Sequence, residues 1–147
     1  MKKLIILLLF SVILISGCNS SKEIKAVCKK TDEYEKENVE SIYTMYFDKD
    51  KILKKSTTVI IEKDMDKQTY NEKKKSYDEM YKEPEYKNVI YKKDDKKRTF
   101  STETSAEYSF SDADKGEYEA GKYIKSYEDM NYKCSIYGSS RKALGLK

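Results

Sequence analysis

The sequence contains no histidine and no tryptophan, and it has one proline and five glycines in 147 residues. The absence of histidine removes the commonest general base and the commonest zinc ligand, so most hydrolase and zinc-site interpretations have no starting point. After residue 17 the chain also has no Gly-x-Ser-x-Gly motif, no Cys-x-x-Cys motif and no glycine-rich phosphate loop. We therefore expect no catalytic residue, no metal and no cofactor.

Aliphatic side chains are scarce after residue 17, and tyrosine takes their place. Removing residues 1–17 leaves 147 − 17 = 130 residues, of which 18 are Leu, Ile, Val or Phe, whereas all fourteen tyrosines remain. The net charge of this part is +4 − 2 = +2, because Lys2 and Lys3 are removed with the segment. A low net charge together with many large tyrosine rings predicts a small folded domain rather than a disordered chain.

The N-terminus has the pattern of a secretion signal. Lys2 and Lys3 precede an apolar run over residues 4–15, and Ile15-Ser16-Gly17-Cys18 follows it. Twelve apolar residues form a helix of about 18 Å, which is shorter than the roughly 30 Å hydrocarbon core of a bilayer. The four residues resemble the lipobox of bacterial lipoproteins, and the resemblance implies cleavage before Cys18 and a lipid on its sulfur. An ordinary signal peptide followed by an incidental cysteine is the alternative.

Two cysteines remain when Cys18 is assigned to the lipid. Cys28 and Cys134 lie near the two ends of the predicted domain. Because export places them in a non-reducing compartment, we predict that they form a disulfide, which closes a loop of 134 − 28 + 1 = 107 residues. Two buried free thiols are the alternative.

Local patterns predict an α+β domain with a four- to five-stranded, mainly antiparallel sheet built from two β-hairpins, one longer helix and one short helix. Asp66 is the expected N-cap of the longer helix, and Pro84 is expected to end it. The alternating and aromatic segments predict strands and the 3.6-residue stripes predict helices. The predicted strands cover residues 26–31, 40–47, 52–62, 87–92, 97–101 and 133–137, with 106–110 as an extension of the preceding strand or a further one, and the helices cover 66–83 and 123–130.

The predicted order of elements implies four parts of the chain. These are a signal peptide at residues 1–17, a lipidated cysteine and tether at 18–25, the α+β domain at 26–137 and a flexible tail at 138–147.

The order of predicted elements also resembles that of the small YehR-like lipoproteins of unknown function. The resemblance covers roughly residues 26–136, and its most similar stretch is Tyr91-Lys92-Lys93-Asp94-Asp95-Lys96. The resemblance implies an α+β lipoprotein domain and transfers no catalytic residue.

The charged segments of the chain have simple structural interpretations. The run Asp112-Ala113-Asp114-Lys115-Gly116-Glu117 is similar to a calcium loop, but its glycine is at position five and Tyr123 is at position twelve, so we expect a polar turn. The 28 basic residues after residue 17 are interleaved with 26 acidic ones, so we expect no nucleic acid partner. The basic runs 73–75, 92–93 and 96–98 could touch anionic lipid or wall polymer, although a solvated face is the simpler interpretation.

Tyrosines are the remaining candidates for recognition, because each joins a flat apolar face to a hydroxyl group. We expect eight of them in or beside the core, and any exposed surplus would suit a sugar or a peptide. The eight are Tyr43, Tyr46, Tyr70, Tyr77, Tyr81, Tyr91, Tyr123 and Tyr127.

The sequence thus predicts a membrane-anchored, extracytoplasmic lipoprotein that is a non-enzymatic binding or accessory module with a protein or cell-wall partner. The alternative is an enzyme that acts on cell-wall polymers through paired carboxylates, since 26 acidic residues offer many pairings.

Overall fold

The structure is a computed structural model, and it describes residues 23–147. The predicted signal peptide, Cys18 and the tether up to residue 22 lie outside the described residues. No helix among the described residues is long and apolar enough to cross a membrane.

Six antiparallel strands form one sheet, in the order β4-β5-β3-β2-β1-β6. The α+β class is confirmed, but the expected count of four to five strands is too low. Residues 24–63 form three consecutive antiparallel strands of 11 residues each, and the closing strand then pairs with the first one. The strands are β1 Ile24–Tyr34, β2 Glu37–Phe47, β3 Leu53–Lys63, β4 Ile90–Asp94, β5 Thr99–Glu107 and β6 Lys133–Tyr137.

The first helix, α1, spans Lys67–Met80; it begins directly after the predicted N-cap and ends three residues before the predicted end at residue 83. The Asp66 carboxylate accepts a hydrogen bond of 2.8 Å from the backbone N–H of Thr69, which confirms the N-cap. Pro84 lies just beyond the helix and begins a short 3-10 turn, Pro84–Tyr86. The second helix, α2, spans Ala120–Asp129 and begins three residues earlier than predicted. Its first amide donates to the Lys51 carbonyl at 2.7 Å, a tertiary contact that local sequence does not reveal.

Both helices cover the same face of the sheet. Cys28, Tyr43, Thr58 and Thr104 are register partners across four strands, and Phe100 shares their face because strand residues alternate. Tyr43 contacts Tyr127 of α2, and Phe100 stacks on Tyr70 of α1. The α1 core consists of Met65, Tyr70 and Phe100. The α2 core consists of Ile24, Ala26, Cys28, Met45, Phe47, Leu53, Ala120, Ile124, Leu144 and Leu146.

The opposite face of the sheet, which we call the open face, has no helix over it within residues 23–147. Its half-buried side chains are mostly β-branched or aromatic, and both edge strands are short and carry lysines, which discourages pairing with another chain. The open face includes Val27, Ile42, Tyr46, Val59, Ile61 and Tyr137.

The last ten residues differ from the expected flexible tail. Leu144 and Leu146 are each 8% exposed and belong to the α2 core. Arg141 donates two hydrogen bonds to the Glu128 carboxylate, at 2.7 and 3.0 Å. Gly121 of α2 lies so close to the Leu144 carbonyl that a Cβ at this position would collide with it. Apolar burial and close packing therefore hold the segment against α2.

Candidate functional site

Helix α1 and its C-cap residue, Tyr81, place three tyrosines along one stripe that faces the sheet. Tyr70, Tyr77 and Tyr81 are separated by seven and four residues, a spacing that returns to the same side of a helix. Strand β4 presents Tyr91 to the same stripe, and β5 presents Phe100. The resulting aromatic cluster lies between α1 and the β4 edge of the sheet.

The rings of this cluster are arranged in two ways. Tyr81 is stacked on Tyr91, with centroids 4.5 Å apart and planes at 19°. Tyr77 stands edge-on to Tyr91 at 6.2 Å and to Phe100 at 5.1 Å. Offset stacking and edge-to-face contacts are the arrangements that aromatic rings prefer, so the cluster is held by its own packing.

The outer side of the cluster opens into a cleft of about 390 Å³, which we call the tyrosine cleft. This volume lies within the range of small-molecule sites. Aromatic side chains form its walls and charged side chains its rim. The residues that line it are Tyr77, Asp78, Tyr81, Lys82, Tyr91 and Lys93.

Hydrogen bonding and burial together determine the protonation states of the cleft residues Asp78, Tyr77 and Tyr91. A hydrogen bond of 2.5 Å from the Lys93 ammonium lowers the pKa of Asp78, so this carboxylate stays ionised. Burial raises the pKa of Tyr77 and of Tyr91 above the ordinary value of 10.0, so both phenols stay protonated at neutral pH. The Tyr77 hydroxyl donates to Glu62 at 2.8 Å. The cleft thus offers neutral aromatic walls, one compensated charge pair and the ammonium group of Lys82.

Two carboxylates converge beneath α1, but a lysine joins them. The Lys73 ammonium lies 2.5 Å from Glu37 and 2.6 Å from Glu62. Burial opposes the charge of Lys73, yet the hydrogen bonds to the two carboxylates outweigh it and raise its pKa. This arrangement ties α1 to β2 and β3.

A second cavity, of about 670 Å³, lies on the open face at the β1 and β6 edge. Its one carboxylate, Glu40, pairs with Lys63 at 3.1 Å.

Residues 112–117 form an exposed turn in which Asp112 pairs with Lys115. Among the residues that the structure describes, no group of three or more acidic or cysteine side chains is placed to hold a metal ion.

The structure divides the tyrosines expected in or near the core among three places. Tyr70, Tyr77, Tyr81 and Tyr91 form the aromatic cluster. Tyr43, Tyr123 and Tyr127 pack beside the α2 core, and Tyr46 lies on the open face. Of these eight, Tyr70 alone is fully buried, at 3% exposed. Periodicity identified the stripe on α1, but no local signal placed Tyr91 of β4 against it.

Cys28 and Cys134 form the predicted disulfide. They are directly opposite each other in the β1 and β6 register, so the bond ties an edge strand to the sheet. Cys18 lies outside the described residues.

No family model, no curated protein and no solved structure matches this chain.

Proposed function

We propose that this protein is a membrane-anchored extracytoplasmic lipoprotein whose domain is a non-enzymatic binding module, and that the tyrosine cleft is its binding site. The anchor rests on the Ile15-Ser16-Gly17-Cys18 pattern, and the lipoprotein class agrees with the resemblance to the YehR-like proteins. The observation that carries the binding role is the grouping of Tyr77, Tyr81 and Tyr91 around one open cleft.

The tether limits where this module can act. Strand β1 begins at Ile24, six residues after Cys18. Six residues span at most about 20 Å, so a lipid on Cys18 would hold the domain next to the bilayer surface. Two or three acyl chains suffice for stable attachment. The module would bind ligands that approach the membrane.

The chemistry of the cleft favours an oligosaccharide of the cell envelope. A sugar ring has a flat apolar face edged by hydroxyl groups, which matches a tyrosine face with polar groups at its rim. Asp78 and Lys93 can accept and donate hydrogen bonds at that rim. Asp78 and Lys93 compensate each other, and the exposed Lys82 adds a further hydrogen-bond donor at the rim.

The enzyme alternative requires two carboxyl groups that flank the scissile bond. Within residues 23–147, the tyrosine cleft and the cavity of the open face have one carboxylate each. Each of these carboxylates is paired with a lysine, Asp78 with Lys93 and Glu40 with Lys63. This arrangement favours binding over acid–base chemistry.

The binding role can be tested with Tyr81→Leu, which removes a ring from the cleft and keeps an apolar side chain. Tyr34→Leu is the matched control, because Tyr34 is 60% exposed at the far end of β1. An N-acetylglucosamine oligosaccharide is titrated while the tyrosine ring signals are followed by NMR. We expect Tyr81→Leu to weaken binding about tenfold, as for loss of one central aromatic contact, and Tyr34→Leu to leave it unchanged.

Failure of the wild-type chain to bind the oligosaccharide would contradict the sugar-binding proposal. A scan that replaces each of the 26 acidic residues by its amide addresses the enzyme alternative. If one such substitution abolished a wall-polymer activity and left the melting temperature unchanged, the enzyme interpretation would replace ours.

A further inference from the structure

The cavity of the open face is separate from the tyrosine cleft and has a different character. It lies at the edge formed by β1 and β6, whereas the cleft lies at the β4 edge on the other face of the sheet. Lys29 and Lys133 line it together with the hydroxyl groups of Thr31 and Ser135. A third lysine of the lining, Lys30, pairs with Asp32 at 2.9 Å. The walls therefore combine one paired lysine and two lysines without an ion pair among residues 23–147 with neutral hydrogen-bond donors.

The two lysines are opposite each other in the antiparallel register of β1 and β6. Cβ atoms of directly opposed residues lie about 4.5 to 5.5 Å apart, and like charges at such positions are destabilising. The adjacent pair in the register is Cys28 and Cys134, which are joined by the disulfide. The covalent bond fixes the register, so Lys29 and Lys133 are kept side by side despite their repulsion.

The surroundings do not neutralise these two charges. Within residues 23–147 neither Lys29 nor Lys133 forms an ion pair, and the one acidic residue of the cavity, Glu40, is paired with Lys63. Lys25, four residues before Lys29 on β1 and on the same face, adds further positive charge and lies over the rings of Tyr46 at 5.7 Å and Tyr137 at 6.0 Å. An anion between the two lysines would relieve the repulsion.

We propose that this cavity binds a phosphate group. A tetrahedral phosphate has enough oxygens to accept hydrogen bonds from two ammonium groups and from the neighbouring hydroxyls at once. The cavity is about 670 Å³ and open to solvent, so a phosphate carried by a larger polar molecule also fits. The phosphate can be free in solution or belong to the headgroup of an anionic phospholipid.

The test uses the whole processed chain in a non-ionic detergent at low ionic strength, with isothermal titration calorimetry. Inorganic phosphate is one probe, and glycerophosphoglycerol, the water-soluble headgroup of phosphatidylglycerol, is the other. We expect saturable binding of at least one probe. Tighter binding of inorganic phosphate would indicate free phosphate as the ligand, and tighter binding of the diester would indicate the lipid headgroup.

The double variant Lys29→Gln/Lys133→Gln should weaken binding by a factor of about ten or more, because two charge-assisted contacts are lost. The charge-matched control is Lys67→Gln/Lys75→Gln, which removes two exposed lysines of α1 and should leave affinity within about twofold. Lys29→Arg/Lys133→Arg keeps both charges and should retain binding.

Protein without ligand provides an independent check on folding. Removing the opposed charges relieves repulsion, so the melting temperature of the double Gln variant should be equal to or above that of the wild type. Phosphate should raise the melting temperature of the wild type and not that of this variant. The proposal is wrong if the wild type binds neither probe, or if the α1 control loses as much affinity as the cavity variant.

Discussion

Reduction of the Cys28–Cys134 disulfide is the perturbation whose effect can be calculated most directly from the structure. The bond joins β1 to β6, and β6 is an edge strand that pairs with β1 alone. The residues after β6 return to the α2 core through Leu144 and Leu146. Reduction therefore removes the covalent link that holds β6 against β1.

The expected loss of stability follows from the size of the closed loop. The two cysteines are separated by 106 positions. The loop-closure model gives about 4 to 5 kcal/mol for a loop of this length, because the crosslink restricts the unfolded chain. A domain of this size loses roughly 4 °C in melting temperature per kcal/mol, so reduction should lower it by roughly 15 to 20 °C.

The assay compares thermal unfolding, followed by circular dichroism, before and after reduction. Hydrogen exchange should show the largest loss of protection in β6, Lys133–Tyr137, and a smaller loss in β2 and β3. A Cys18→Ser chain, in which Cys28 and Cys134 are the remaining cysteines, serves for thiol counting and should show none until it is reduced. Two readily alkylated thiols in the unreduced, unfolded chain, or a melting temperature that reduction shifts by less than a few degrees, would refute the reasoning.

Three further perturbations test the anchor, the aromatic cluster and the C-terminal segment. Cys18→Ser should abolish lipid attachment and partitioning into detergent, and normal processing with retention in the membrane fraction would show that the lipoprotein assignment is wrong. The raised pKa values of Tyr77 and Tyr91 mean that the unfolded chain releases these protons first as pH rises. Stability should therefore be intact below about pH 10 and fall above it, with the ultraviolet signal of tyrosinate growing in as the domain unfolds. Leu144→Ala should cost about 2 to 3 kcal/mol in urea unfolding, because the side chain is 8% exposed, and a change within about 0.5 kcal/mol would mean that the segment is not packed.

Elements with strong local signals could be predicted from the sequence. The Asp66 cap defines the start of α1, because it acts on the backbone of its immediate neighbours, whereas the helix ends at Met80, three residues before the end that Pro84 predicts. Strand β6 has the predicted bounds of residues 133–137. Local patterns do not predict the start of α2, because it depends on a contact with Lys51, a residue far away in the sequence.

The C-terminal segment shows the opposite case. Residues 138–147 have two leucines among polar residues and no periodic pattern, so their local sequence predicts a flexible tail. Their burial depends on the apolar surface of α2 and β1 and on the close approach that Gly121 permits. Neither condition can be recognised in the segment itself.

The sequence by itself determined the α+β class and the tyrosine stripe of α1, because composition and short-range periodicity encode them. It also predicted the pairing of Cys28 with Cys134, because these two cysteines remain when Cys18 is assigned to the lipid. Tertiary structure alone decided which distant residues share a site. It brought Tyr91 against Tyr81 to form the cleft, and it placed Lys29 opposite Lys133 beside the disulfide. Strand order and register set these distances between residues far apart in the chain, and short-range patterns carry little information about either.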